Sequence, residues 1–130
     1  MKRIILILVL TLILLGVAGI TVLRTLMEQK VKSNIELAKA QNPGTAEDAL
    51  IAFLIDTNQA FSDKTHIAIW TLGQIRSEKA LPLLKELYKE DPKGKTCYGK
   101  HDFVLCQYEI FKAIEAIEGK QLFSFARLNK

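Results

Sequence analysis

The stretch CYGKHDFVLC, residues 97–106, gathers both cysteines of the chain, one of its two histidines and Asp102. Three kinds of chemistry use such residues. A thiol beside an imidazole can make a nucleophile and its base, provided that a third group orients the base and an oxyanion site receives the charge. Here Gly94 and Gly99 supply loop flexibility rather than a helix N-terminus aimed at Cys97, so no catalytic residue is assigned and no enzymatic activity is expected. A metal site would draw on Cys97, His101 and Cys106. These are three ligands where structural zinc takes four, and the spacing C-x3-H-x4-C matches no standard zinc pattern. No metal and no cofactor is therefore assigned. A redox pair prefers C-x-x-C, whereas eight residues separate these cysteines.

A structural disulfide is the reading that remains. Closing so short a loop is worth roughly 2–3 kcal/mol in the chain-entropy picture. Two nearby cysteines outside the cytoplasm pair by default. Cys97 and Cys106 are thus expected to staple a loop that carries Lys93, Lys95, Tyr98, Lys100 and His101. Those residues make the loop basic: either a solvated loop or a contact for an anion or an acidic partner.

The elements that must hold this loop fall into two regimes. Ile4 to Leu23 is an uncharged run of 20 residues with only Thr11 and Thr21 as polar side chains. As a helix it would span roughly 30 Å, the thickness of a bilayer's hydrocarbon core. Residues 1–24 are read as a transmembrane anchor, or alternatively as a signal peptide cleaved near Gly19. The length of the run, beyond the usual signal core, favours the anchor. Lys2 and Arg3 precede the run, and Arg24, Lys30 and Lys32 follow it, so the positive-inside rule does not decide the orientation. The short N-terminal tail and the cysteine pair favour the expectation that the rest of the chain lies outside the cytoplasm. From Thr25 onward there are 15 basic and 14 acidic residues. That near-neutral balance lacks the basic stripe of a nucleic-acid binder.

Residues 25–44 continue as a helical stalk. Met27, Val31, Ile35 and Ala38 recur at helical spacing until Asn42-Pro43-Gly44 ends the helix. Four apolar positions make a weak seam, so the stalk is expected to be a solvated spacer. In residues 45–119 every periodic stretch is helical. Thr45 caps a helix with Glu47 and Asp48 in its first turn. Ser62 or Asp63 caps a second helix that is apolar around most of its circumference, the expected centre, with Trp70 in the core. A third follows Arg76-Ser77-Glu78, and Asp102 caps a fourth, with Phe103, Cys106, Ile110, Ile114 and Ile117 on its inner face and Gly119 at its end. Gly73 lets two helices approach closely, whereas Gly94 sits in a loop that tolerates substitution. In the tail 120–130, Leu122, Phe123 and Phe125 are expected to cover the open end of the core.

The helical domain repeats internally. EDALIAFL, residues 47–54, matches EKALPLLKEL, residues 78–87, at an offset of 31. AIWTLGQI, residues 68–75, echoes FKAIEAI, residues 111–117, which sets Glu115 against Gly73. The insertion between the copies falls on the cysteine loop. Ala68, Leu72, Gly73 and Ile75, a short turn and then Ala80-Leu81-Pro82-Leu83-Leu84 resemble a HEAT-like repeat, of the short kind found in phycobilin lyases. With Trp70, Ile110, Ile114 and Ile117 these residues form the expected repeat core. Together with the apolar run and the helical periodicity, the resemblance leads to the expectation of an all-α chain: a transmembrane helix followed by a short HEAT-like α-α solenoid of about two to three helix pairs. The resemblance also implies a scaffold that binds another protein rather than a catalyst. The expected function is therefore a single-pass membrane protein with a non-enzymatic interaction module and a protein partner. The alternative is a cleaved, exported small binding or redox factor that uses the Cys97–Cys106 pair.

Overall fold

The computed structural model describes residues 2–120. Among them are five helices and no strand. They are α1 (Lys2–Gln41), α2 (Ala46–Ile55), α3 (residues 61–74), α4 (residues 78–87) and α5 (Gln107–Ile117). The all-helical expectation holds, and the succession of helices is consistent with a short HEAT-like solenoid. The end of the tail, with Leu122, Phe123 and Phe125, lies outside the described residues.

α1 has two halves with different surroundings. Its 40 residues make a rod of about 60 Å. Every side chain from Arg3 to Leu26 is exposed, and the helix is long and apolar enough to cross a membrane. The hydroxyls of Thr11, Thr21 and Thr25 donate to the carbonyls of Ile7, Val17 and Thr21 at 2.9, 2.8 and 3.0 Å. Each polar group in the apolar stretch is thereby satisfied within the helix, as a lipid environment requires.

Beyond this stretch the expected solvated spacer gives way to a packed helix. Val31 and Ala38 are fully buried, and Ile35 packs against the same core. Asn34 is buried between them. Its amide donates to the His66 carbonyl at 3.2 Å and to the Thr71 hydroxyl at 2.9 Å. The seam has too few apolar positions for a coiled coil, but two hydrogen bonds from Asn34 supplement it. The last turns of α1 are thus part of the packed helical core.

α2 follows the sequence signals. The Thr45 hydroxyl accepts from the Asp48 amide at 3.2 Å, and Ala49, Leu50, Phe53 and Leu54 are buried. In the turn after it, the Asp56 carboxylate accepts from the Asn58 amide at 2.9 Å and from the Gln59 side chain at 3.1 Å. These bonds, the Asn58 amide first, hold the Asp56 carboxyl below its usual range.

α3 starts earlier than the spacing predicts. Its N-cap is Ala60, with no side-chain cap; neither Ser62 nor Asp63 takes that role. An α turn (Phe61–Asp63) leads into a π segment (Lys64–Ile69) and back to α geometry (Trp70–Gln74). A π turn inside an α-helix leaves carbonyls in need of other partners. Asn34 takes the His66 carbonyl, and the Thr65 hydroxyl takes that of Phe61 at 2.9 Å.

The ends of α3 and α5 repeat one another. After α3, Arg76 adopts φ 52°, and the amides of Arg76 and Ser77 donate to the carbonyls of Gly73 (3.2 Å) and Leu72 (3.0 Å). After α5, Gly119 adopts φ 76°, and the amides of Gly119 and Lys120 donate to Ala116 (3.3 Å) and Glu115 (2.9 Å). Both are Schellman caps. Aligning them sets Gly73 against Ala116 rather than Glu115, so the second copy also carries a small buried residue there.

α4 opens with a 3-10 turn capped by Ser77, whose hydroxyl accepts from Ala80 at 3.3 Å, and Pro82 sits in its first α turn. It ends at Leu87, and Tyr88 continues in extended conformation with its ring stacked on Phe111. α5 begins at Gln107, not after Asp102, and its N-cap is Cys106. Phe103, expected on the inner face, is 75% exposed in the loop.

α3 is the centre, packed against α1 and α2 on one side and α5 on the other; α4 packs against α5 and meets α2 through its first turn. Ala68, Leu72, Ala80, Leu84 and Ile110 are fully buried, Gly73 and Ile114 are buried, and Ile75, Leu81 and Ile117 pack at the edge of the same core. The tightest approach is between α3 and α5. A Cβ on Gly73 would lie 2.9 Å from the Ala113 Cα, which is backbone and cannot rotate away.

Gly94 departs from expectation. It is buried at φ 62°, and a Cβ there would lie 2.8 Å from that of Tyr108 and 3.1 Å from the Cys97 sulfur. It is a packing position, not a tolerant loop site. Gly99, at φ 69°, faces open space. Urea unfolding should therefore rank the alanine variants. Gly73→Ala and Gly94→Ala should each lose about 1–3 kcal/mol from overpacking, with left-handed strain added at Gly94. Gly99→Ala should lose only the strain, about 1 kcal/mol. Equal losses at Gly94 and Gly99 would contradict the burial of Gly94.

Glu118 links the end of α5 to α4. Its carboxylate meets Lys85 at 2.5 Å and Lys120 at 2.7 Å. These bonds, that from Lys120 first, hold its pKa at about 2, below the usual 4.5. A carboxylate with a depressed folded pKa stabilises the fold above its unfolded pKa and loses that contribution as the pH falls. Stability should thus decline from about pH 4.5 toward pH 2. Thermal melts of Lys85→Met across that range should show a shallower decline than those of the unaltered chain.

Candidate interaction surface at the cysteine loop

The loop between α4 and α5 is built from turns. Amides of Gly94, Cys97, Lys100 and Phe103 each donate to the carbonyl three residues back, at 3.1, 3.2, 3.0 and 2.9 Å. Asp91 organises the first turn, accepting from the Thr96 amide and hydroxyl, both at 2.8 Å. The amide bond, the strongest influence, keeps the Asp91 carboxyl below its usual range. At the far end Gln107 is buried. Its carbonyl accepts from the Lys89 amide at 2.6 Å, and its amide donates to the Leu87 carbonyl at 3.3 Å. Gln107 thus joins the end of α4 to the start of α5. A single glutamine gives no sequence signal for that role.

Cys97 and Cys106 are disulfide-bonded, with Cα atoms 5.0 Å apart. Both are buried, at 2% and 3% exposure, so neither presents a thiolate to solvent. The Cys106 amide donates to the buried Thr65 hydroxyl at 3.4 Å, which fastens the loop to α3. Lys93, Lys95, Tyr98, Lys100 and His101 are all exposed, Tyr98 by 88%. His101 reaches back to α3, where its ring stacks on that of His66 with centroids 6.4 Å apart. Candidate ligand atoms of Cys97, His101 and Cys106 lie within 4.8 Å of one another.

Trp70 is not in the core. It is half-buried and borders an open groove of about 440 Å³ with Lys30 and His66. On its other side Gly73, Gln74, Glu109 and Lys112 line a shallow cleft between α3 and α5. On a helix, Trp70 points about 160° from Leu72. Because α3 is apolar around most of its circumference, periodicity alone could not place it. A second hollow, of about 370 Å³, lies under the loop and is lined by Phe61, Leu87, Phe103 and Leu105. The surface on this side therefore combines an aromatic groove, two stacked histidines and a basic loop.

Replacing both cysteines by serine removes the closure but leaves Asp91, Gln107 and the turn bonds in place. The metal-free double variant should lose about 2–3 kcal/mol in chemical denaturation, with helix content retained. A loss below about 0.5 kcal/mol would show that the turns alone fix the loop.

The comparisons with known proteins are consistent with this architecture. No curated protein and no solved structure matches the chain. The match is to a family model: residues 66–90, which run from within α3 through α4, are similar to the PBS lyase HEAT-like repeat.

Proposed function

We propose that the chain is a single-pass, membrane-anchored interaction module that holds a protein partner against its helix faces and catalyses no reaction. One observation carries this reading. α1 is unbroken from an exposed apolar rod into the core of HEAT-like helices. A partner gripped by the solenoid would be held at a set height above the bilayer, because the helix has no hinge between span and core. Lys30 lies about 9 Å along the helix from Arg24, so the Trp70 groove would sit near the membrane surface. Tryptophan dominates many protein interfaces because it combines a large apolar ring with one donor. Trp70 is the proposed anchor for the partner, with the basic loop as a rim contact. The bonded cysteines favour the extracytoplasmic side.

The cleaved, exported alternative draws support from the same helix. Cleavage near Gly19 would leave Val31, Asn34 and Ala38, and with them the core, intact. Burial of both sulfurs argues against rapid redox cycling by that form.

Two measurements test the reading. The mature N-terminus, read by mass, should begin before the apolar run, and the chain should resist alkaline extraction from membranes. A mature chain beginning near Ile20 would overturn the anchor. A photo-crosslinker at Trp70 should capture a defined partner that one at exposed Ser33 does not. Trp70→Ala should then weaken that partner's binding about tenfold or more. Equal capture at both positions would remove Trp70 from the interface.

A further inference from the structure

We propose that reduction of the Cys97–Cys106 bond opens a tetrahedral zinc site formed by Cys97, Cys106, His101 and His66. The sequence offers three ligands within residues 97–106, one short of a closed structural site. α3 supplies the fourth. The ligand atoms of Cys97, His101 and Cys106 already lie within 4.8 Å of one another, and His66 stacks on His101 with ring centroids 6.4 Å apart and planes 27° from parallel. Two imidazoles bound to one zinc at the usual Zn–N distance have centroids roughly 5 Å apart. His66 stands outside the 4.8 Å set. The pair must therefore close by about 1 Å, and the stacked rings must also turn until both present a nitrogen to the sulfurs. Both histidines are exposed, which leaves room for that turn.

The frame around the ligands is fixed. Cys97 is held by consecutive turns, and the Cys106 amide is fastened to Thr65, the residue before His66. Charge also fits. Zinc with two thiolates and two neutral imidazoles is neutral overall, so the burial of both sulfurs carries little electrostatic penalty.

The chemistry balances with a dithiol as reductant. Both sulfurs are buried, so the step proceeds through local opening of the loop. One thiolate of the reductant attacks a sulfur of the disulfide, and its second thiol resolves the mixed disulfide. The reductant leaves as a cyclic disulfide, and Cys97 and Cys106 gain two electrons and two protons. Zinc binding then displaces those two protons. The loop thus has two closed forms, one stapled to itself and one clasped to α3 through His66.

The test uses the full chain in detergent micelles, with cobalt(II) as the probe. Reduced anaerobically with a phosphine, the protein should bind one equivalent with intense tetrahedral d–d bands and thiolate charge transfer, and zinc should bleach both. The oxidised protein should give neither signal. His66→Gln should weaken cobalt binding about tenfold or more. The same variant, oxidised, should melt like the unaltered chain, which controls for folding. A reduced protein without tetrahedral bands, an oxidised protein that binds equally, or His66→Gln that binds like the unaltered chain would each overturn the proposal. If reduction alone loosens the fold, recovery of far-UV helix on adding zinc supports the site, and failure to recover overturns it.

Discussion

The architecture depends on the burial of one amide. Asn34 lies in the interface between α1 and α3, and its two hydrogen bonds are available in one register only. A slip of α1 by one position would leave the amide buried without partners, at a cost of about 1–3 kcal/mol. A polar group in an otherwise apolar seam therefore selects the alignment that apolar contacts alone would leave loose. Because α1 continues toward the N-terminus as one helix, that choice also sets how the core is oriented on the apolar rod.

The same bond supports the centre of the fold. Asn34 accommodates the π segment of α3 by taking the His66 carbonyl. That segment also carries Thr65, which holds the Phe61 carbonyl within α3 and the Cys106 amide across from it. A single helical irregularity thus anchors α1 on one side and the cysteine loop on the other. It also presents His66 toward the loop, and Trp70, which follows it, borders the groove. The glycine contact between α3 and α5 then brings the next helix close, so the insertion before α5 need not separate the two copies of the repeat.

The readable parts of the sequence are those with redundant local signals. The start of α2 has a threonine cap and two acids in its first turn, and both the cap and the buried stripe appear in the structure. The Ala68-to-Leu84 unit is legible because its apolar spacing and its short turn agree. Where one signal stands alone, it misleads. Asp102 has the chemistry of a cap, but α5 starts at Gln107, where a buried side-chain bond to α4 decides the boundary. Trp70 reads as core because a helix apolar around most of its circumference has too narrow a polar face to orient it. Asn34 and Gly94 are invisible for a related reason. One is a polar residue at a buried position and the other a glycine in a loop, and only tertiary contacts distinguish these from solvated counterparts. The histidine missing from the loop's ligand set has the same origin, since His66 lies 31 residues before Cys97 and nears it only through the fold.

The long loop raises the question of why the repeat tolerates it. Residues 88–106 form a long connection where the other helices of the fold are joined by short turns, and ordering each residue costs about 1–2 kcal/mol of backbone entropy. Closure of a longer loop adds little to that, since the entropy of joining its ends grows only logarithmically with length. The expense is local ordering, and the chain meets it locally. Turns recur every third residue, Asp91 secures the first, Gln107 joins the ends and the cysteine bond shortens what remains free. A core drawn from about 90 residues has little surplus stability with which to order an unsupported loop. While the cysteines are bonded, the density of closures in this segment restricts the arrangements open to its exposed face, from Lys93 to His101. A basic, aromatic surface of fixed shape can select a partner, where a mobile one would lose binding energy to ordering.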